Sequence, residues 1–329
     1  MPTINSSPIL YNKAILTPIT LANETQILYS LISNKNKIET VYRLDDMDEH
    51  FVKTTLPLLY LSFKQIIKST LIENKLDTSQ ENINSILGCD TLEDFRYKFY
   101  YDSQSKIINH IQNYLIKHQP FCNIDITQIK NLILAKYSEN YKSKSQIYSN
   151  LIHVLKTIDD TANEFKDSFN YITGIISNNT QDNLDGIKFQ LEEVIPNNNF
   201  YGRAKEVALE YGKPLADYFY NAFEVITRTK LKDNEKNINH SFIIYSGDRE
   251  EDMELAANLK KQSINIIGIF NDIGNLIQRA DVQEKIKQIS QDIPVLVIPR
   301  QQDVEENIKI YGLLQQQILE QVYVYNKEL

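Results

Sequence analysis

Apolar residues recur along this chain in two rhythms, and the change of rhythm near residue 186 predicts two parts. Between residues 22 and 178 they return every three or four positions, the spacing of helices. The stretch "DEHFVKTTLPLLYLSFKQIIKSTLI" is apolar on nearly every side and predicts a buried helix, kinked at Pro57. "DTSQENINSILG" opens on capping residues and closes on Gly88, which suits the position just past a helix. "TLEDFRYKFYYDSQSKIINHIQNYLIKHQP" begins at Thr91, places Glu93 and Asp94 near a helix dipole's positive end, and stops at Pro120. Helical spacing resumes at Ile126, Ile129, Leu132 and Ile133. Leu151, Val154, Leu155, Ile158, Ala162, Phe165, Phe169, Ile172 and Ile176 then predict one long amphipathic helix ending near Gly174–Asn179.

Beyond residue 186 short apolar runs alternate with amphipathic stretches. "GIKFQLEEVIP" predicts an extended segment, "YGRAKEVALEYG" a helix, "HSFIIYS" a strand and "REEDMELAANLKKQ" a helix. "INIIGIF" and "IPVLVIP" predict strands separated by the helix "DVQEKIKQIS", and "VEENIKIYGLLQQQILEQVYVY" closes the chain as a helix. Continuous apolar strands alternating with helices specify a parallel sheet covered on both faces. The predicted fold class is therefore α/β: an N-terminal all-helical domain over residues 1–180, then a doubly wound, Rossmann-like parallel-sheet domain over 187–329. In such sheets ligands sit at the carboxyl ends of strands.

Composition narrows the chemistry. The 42% apolar and 24% charged residues among 329 are those of a globular protein. A formal net charge of −8 argues against nucleic acid as a partner, because phosphates demand a basic surface. With only nine glycines, a rich phosphate-cradling loop is not expected. Cys89 and Cys122 lack metal-ligand spacing, so neither a disulfide framework nor a zinc site is predicted. No apolar run approaches membrane-spanning length and no secretory leader is visible, so the expectation is a cytoplasmic protein without membrane contact. The five histidines form no metal-ligating pair. The acids of "RLDDMDEH" lack the glycine-turned spacing of a calcium loop and are expected to open a helix. No catalytic residue, metal or cofactor is assigned.

One loop carries a candidate site. Tyr245-Ser246-Gly247-Asp248-Arg249 follows a strand, and Ile269-Phe270-Asn271 ends the next one. With "GNLIQRAD" downstream and "GKPLADYFYNAFEVITR" upstream, residues 187–329 resemble the sugar isomerase (SIS) domain, closest to the first such domain of glucosamine-6-phosphate synthases. The resemblance implies a phosphosugar site at Ser246, Gly247 and Arg249, completed by Asn198 and Asn199, where the family's first phosphate loop would fall. Ser246 would donate to a phosphate oxygen, Gly247 would let the backbone close on it, and Arg249 would add a charge-assisted bond. The family's Ala-Gly-x-Glu stretch, with its catalytic carboxylate, has no match after Asp281, so a degenerate domain that binds without turnover is expected. "FIIYSGD … AANLKKQSINIIGIF … EKIKQIS" is also similar to the end of a von Willebrand factor A domain, but the metal-binding acids of that family are not matched. The leading expectation is a non-catalytic binding or regulatory protein that recognises a phosphosugar or similar anion. The alternatives are an interaction protein contacting a partner through its helical half, and an aldose–ketose isomerase.

Overall fold

Thr40-Val41-Tyr42-Arg43-Leu44-Asp45 forms a strand (β3), and five of its six residues are buried. β-Branched and aromatic side chains pack well on a pleated surface, and here both faces of the strand are covered. In the computed structural model, residues 9–12, 15–18, 36–101, 104–118, 126–204, 213–228, 239–260 and 264–329 are described. Around β3 lie β4 (Asn170–Thr180), β5 (Phe200–Arg203), β6 (Ser241–Gly247), β7 (Asn265–Asn271) and β8 (Val295–Ile298). A hairpin of β1 (Ile9–Asn12) and β2 (Ile15–Pro18) adds antiparallel to β8. The sheet order is β2-β1-β8-β7-β6-β3-β4-β5, with the last six strands mutually parallel. From β3 the chain moves outward through β4 and β5, then returns to β6 and proceeds the other way through β7 and β8. The carboxyl ends of β3 and β6 therefore flank the topological switch point, where doubly wound sheets leave an open crevice.

Helices cover both faces. On one, α6 (Leu151–Glu164) packs against α11 (Val304–Glu328), and their residues Asp159 and Tyr311 reach Arg43 and Asp45 of β3. On the other lie α8 (Ala216–Thr227) and α9 (Glu250–Lys260), with the Phe223 ring 4.7 Å from that of Tyr42. Alternation along the strand separates the two sets, as the pleat requires. α7 (Gln181–Ile187) and α10 (Ala280–Ile289) complete this part. Contacts divide the chain into one unit of residues 1–52 and 147–329 and a second, Lys53–Gln146. The second unit holds α1 (Thr55–Glu73), α2 (Gln80–Leu87), α3 (Leu92–Tyr101), α4 (Gln104–His118) and α5 (Ile126–Lys144). Its core includes Leu56, Phe63, Phe95, Ile111 and Ile133, and buried Asn140 donates to Ser62 Oγ at 2.9 Å.

The α/β class with its parallel sheet and helical unit is present, while several local expectations change. The boundary expected near residues 180–187 falls on α7, inside the sheet-bearing unit. Residues 151–176 are not one helix: α6 stops at Glu164 and β4 begins at Asn170. Phe165, Phe169, Ile172 and Ile176 fit a helical stripe, but Ile172, Thr173, Ile175 and Ile176 are β-branched, stiff at χ1 and suited to a strand. Residues 186–196 form helix and turns instead of an extended segment. In "YGRAKEVALEYG", Tyr201–Arg203 belong to β5, and the helix expected beyond them falls on residues 205–212, outside the described ones. Pro57 opens α1 at its third residue, where a missing N–H costs no intrahelical bond, and so produces no kink. Gly88 takes the left-handed conformation expected past α2, with φ of 71°. Thr91 and Asp94 cap α3 reciprocally, each backbone N–H donating to the other's side chain at 3.1 Å. Among the described residues no helix is long and apolar enough to cross a membrane.

At Gly312 α6 and α11 approach closely, since a Cβ there would run into Val154 Cγ1. Alanine ordinarily stabilises a helix interior by up to about 1 kcal/mol over glycine. Here overpacking outweighs that gain, so Gly312→Ala is expected to lower unfolding free energy by about 1–3 kcal/mol in urea titrations.

Candidate active site

At the switch point β3 runs out into Asp46-Met47-Asp48-Glu49-His50. The Asp46 N–H donates to Ser246 O at 2.8 Å, extending the β3–β6 ladder by one bond and setting Asp46 beside Gly247. These residues make a loop and turn, not the helix start expected of "RLDDMDEH". Glu49 holds the left-handed backbone (φ 57°) and is 3% exposed, an uncommon state for a bulky residue. Asp48 accepts from Ser177 Oγ and Asn179 Nδ2, each at 3.2 Å, at the end of β4.

β6 delivers a second pair of acids, Asp248 directly after the strand and Asp252 in the first turn of α9. Asp252 lies against Gly247, whose missing side chain makes the room, and Asp252 Oδ2 accepts the Arg249 N–H at 3.2 Å. Lys213 enters from the segment before α8, its N–H donating to Asn178 Oδ1 at 2.8 Å. Its ammonium donates to Asp46 and to Asp252 Oδ1, the latter at 2.7 Å, and lies 5.8 Å from the centre of the Tyr245 ring. The Tyr218 hydroxyl donates to Ser177 O, bracing the end of β4.

Charge at this site is buried and out of balance. Burial, together with Asp252 and Asp48, pushes Asp46 up to about 7 against the pull of Lys213. Asp248 is driven well above the usual carboxylate range by burial and by Asp46, Asp252 and Glu49, with Arg249 opposing. Lys213 is held well above its ordinary value; burial works against its charge, and the carboxylates of Asp252 and Asp46 overcome it. Oxygens of Asp46, Asp248 and Asp252 lie within 4.8 Å of one another, all three residues buried. Hard carboxylate oxygens around one place suit a hard divalent cation such as Mg²⁺, and Lys213 with Arg249 brings two positive charges to three buried acids. The donor set thus fits a divalent cation held by Asp46, Asp248 and Asp252.

The residues expected to bind phosphosugar are scattered. Gly247 and Arg249 are at this site. Ser246 is fully buried on the opposite sheet face, where its Oγ accepts from Gln315 Nε2 at 3.2 Å. Asn198 is exposed, and Asn199 donates its amide to Thr173 O at 2.6 Å at the amino end of β5. Since β5 is the third strand from β6, a lateral offset of about 14 Å adds to the difference in height, and the two loops do not face one another. Asp46, Asp48, Ser177, Lys213, Asp248 and Asp252 were not picked out from sequence. The available signals were an acid pair following a buried strand, Asp46-x-Asp48, and Asp248 with Asp252 four residues apart across a helix start.

No family model matches the chain, and no curated protein matches it. Solved structures do. One is assigned as a β-phosphoglucomutase from Thermotoga maritima: 12% identity, 84% of this chain and 99% of that one, TM-score 0.48. Another is assigned as a phosphoglycolate phosphatase from Haemophilus somnus: 16% identity, 72% and 86% coverage, TM-score 0.40. A haloacid dehalogenase-like protein of unknown function from Agrobacterium tumefaciens gives 11% identity, 83% and 98% coverage and a TM-score of 0.40. At these values the likeness is of general architecture, and the chemistry rests on the side chains. Both family resemblances are corrected. The solved neighbours are assigned as phosphomutases, a phosphatase and a haloacid dehalogenase-like protein, not as SIS or von Willebrand factor A domains. The stretches that carried the SIS likeness do other work: "GKP" brings Lys213 to Asp46, and "SGDREED" supplies Asp248 and Asp252. The expectation of a non-catalytic binding or scaffold protein is corrected with them: the solved structures include ones assigned as phosphatases and phosphomutases, and buried acids with raised pKa values at a strand-end crevice mark a candidate catalytic site. The isomerase alternative falls too, since its phosphate loops do not converge.

Gly247→Ala would drive a Cβ into the Asp252 carboxylate. Wild type is expected to melt several degrees higher in millimolar Mg²⁺ or Mn²⁺, by linkage, and the alanine variant to lose most of that shift in thermal melts.

Proposed function

We propose that this chain is a cation-dependent phosphoryl-transfer enzyme of haloacid dehalogenase-like type, hydrolysing or isomerising a phosphomonoester through Asp46. The observation that carries this is the meeting of the Asp46, Asp248 and Asp252 carboxylates, with Lys213 bonded to Asp46 and Asp252, beside the Asp48–Ser177 pair, at the switch point. Asp46 is the nucleophile: its carboxylate attacks phosphorus, and the bond to the leaving oxygen breaks as an aspartyl phosphate forms. Asp48, held by Ser177 and Asn179, gives a proton to the leaving oxygen. It then takes a proton from the water that attacks the aspartyl phosphate, releasing phosphate and restoring both acids. Lys213 binds phosphoryl oxygens, lowering the repulsion between dianion and carboxylates, while the Ser177 hydroxyl stays on Asp48. A divalent cation held by Asp46, Asp248 and Asp252 supplies charge neutralisation for the phosphoryl group.

Hydrolysis of p-nitrophenyl phosphate in Mg²⁺ tests this, with sugar phosphates, the ligand class expected from sequence, heading the panel of further substrates. EDTA is expected to abolish turnover, and Asp46→Asn to lower kcat by at least about 10³-fold with circular dichroism unchanged. Turnover that survives in Asp46→Asn, or full activity in EDTA, overturns the assignment.

A further inference from the structure

Three polar residues of α11, Asn307, Tyr311 and Gln315, are each fully buried and stand four residues apart, on one stripe of the helix. Each reaches the carboxyl end of a different strand. Asn307 Nδ2 donates to Asn271 Oδ1 at 3.0 Å, the last residue of β7. The Tyr311 hydroxyl donates to Asp45 Oδ1 at 2.6 Å, the last residue of β3. Gln315 Nε2 donates to Ser246 Oγ at 3.2 Å, next to the end of β6. Asp45 and Ser246 directly precede Asp46 and Gly247-Asp248, and they are also paired with each other in the ladder. Arg43 Nε lies 3.1 Å from Asp45 Oδ2, so Asp45 is pinned from two directions. His50, at 3.8 Å from Asp45, meets Asn271 at 3.4 Å, linking the β3 loop to the same stripe.

A buried polar stripe is costly to desolvate, and on a helix that only packed the sheet an apolar stripe would serve as well. What the polar stripe adds is registration: three strand ends are tied to one rigid rod, and two of them bear the site's acids. We propose that Tyr311 and Gln315 are positioning residues, acting from the far face of the sheet to set the spacing of the Asp46 and Asp248 carboxylates, and thereby the affinity of the site for a divalent cation. This inference rests on the cation-dependent reading of the site. Groups that orient metal ligands without touching the metal typically change affinity by about 10–100-fold when removed.

Mn²⁺ alone is the probe, titrated calorimetrically into the full chain without substrate. Tyr311→Phe keeps the ring that packs edge-on to His50 and Phe51 and removes only the hydroxyl. Gln315→Leu removes an amide whose Oε1 has no hydrogen-bond partner, which offsets the bond lost at Ser246 Oγ, so the melting temperature is expected to change little while Mn²⁺ affinity falls. Each variant is expected to bind Mn²⁺ about tenfold more weakly. Tyr325→Phe, which removes a hydroxyl on the same helix bonded to Asn36 O at 3.3 Å, is the control and is expected to bind as wild type does. If wild type binds Mn²⁺ and both stripe variants match it within twofold, the positioning role is overturned while the site reading stands. If wild type gives no Mn²⁺ heat, the cation-dependent reading fails and this inference fails with it.

Discussion

Everything at the carboxyl edge of this sheet turns on negative charge brought together out of water. The carboxylates of Asp46, Asp248 and Asp252 meet at one place, Lys213 donates to Asp46 and Asp252, and all four residues are at most 9% exposed. Isolated buried carboxylates cost several kcal/mol each, and an ammonium contact offsets only part of that. A fold that keeps such an arrangement retains it for use. The upward displacement of Asp46 and Asp248 expresses the same fact, since each resists ionising until more positive charge arrives. On the proposed reading, these groups supply a nucleophile and an anchor for positive charge before any substrate enters.

The rest of the sheet-bearing unit is arranged around keeping those groups in place. β3 and β6 carry the acids on adjacent strand ends, and the pleat sends Asp45, directly before Asp46, and its ladder partner Ser246 to the opposite face. There the α6–α11 pair covers Arg43, Asp45 and Ser246, while α8 and α9 cover the face bearing Tyr42 and Tyr245. Gly247 and Gly312 do comparable jobs at different scales: one lets a carboxylate lie against a strand end, the other lets two helices touch.

Much of the architecture was legible. The strands at Ser241–Gly247, Asn265–Asn271 and Val295–Ile298, their intervening helices, and the importance of the strand-end loop after Tyr245 follow from apolar runs between charged stretches. β3 and β4 were hidden because helical and strand periodicities coincide over short apolar runs, and β-branching alone separates them. Losing β3 also hid the site, since Asp46 and Asp48 announce themselves only once the residues before them form a strand. The acids after Gly247 had an adequate explanation in the helix dipole, so only the approach of Lys213 shows that they belong to something more. That convergence joins residues 46, 213 and 252, a relation no local pattern can express.

The central position of β3 has a consequence for how the molecule is made. Its partners begin at residues 170 and 241, so 124 residues separate the strand at residues 40–45 from its first neighbour and 195 from its second. Closing loops of that length before any contact rewards them is slow, and it gives the fold a high contact order. The acids at the end of β3 stay solvated and ordinary until those loops close. Repulsion from Asp248 and Asp252 is added only when β6 docks, so that electrostatic cost is deferred until β3 has a neighbour on each side.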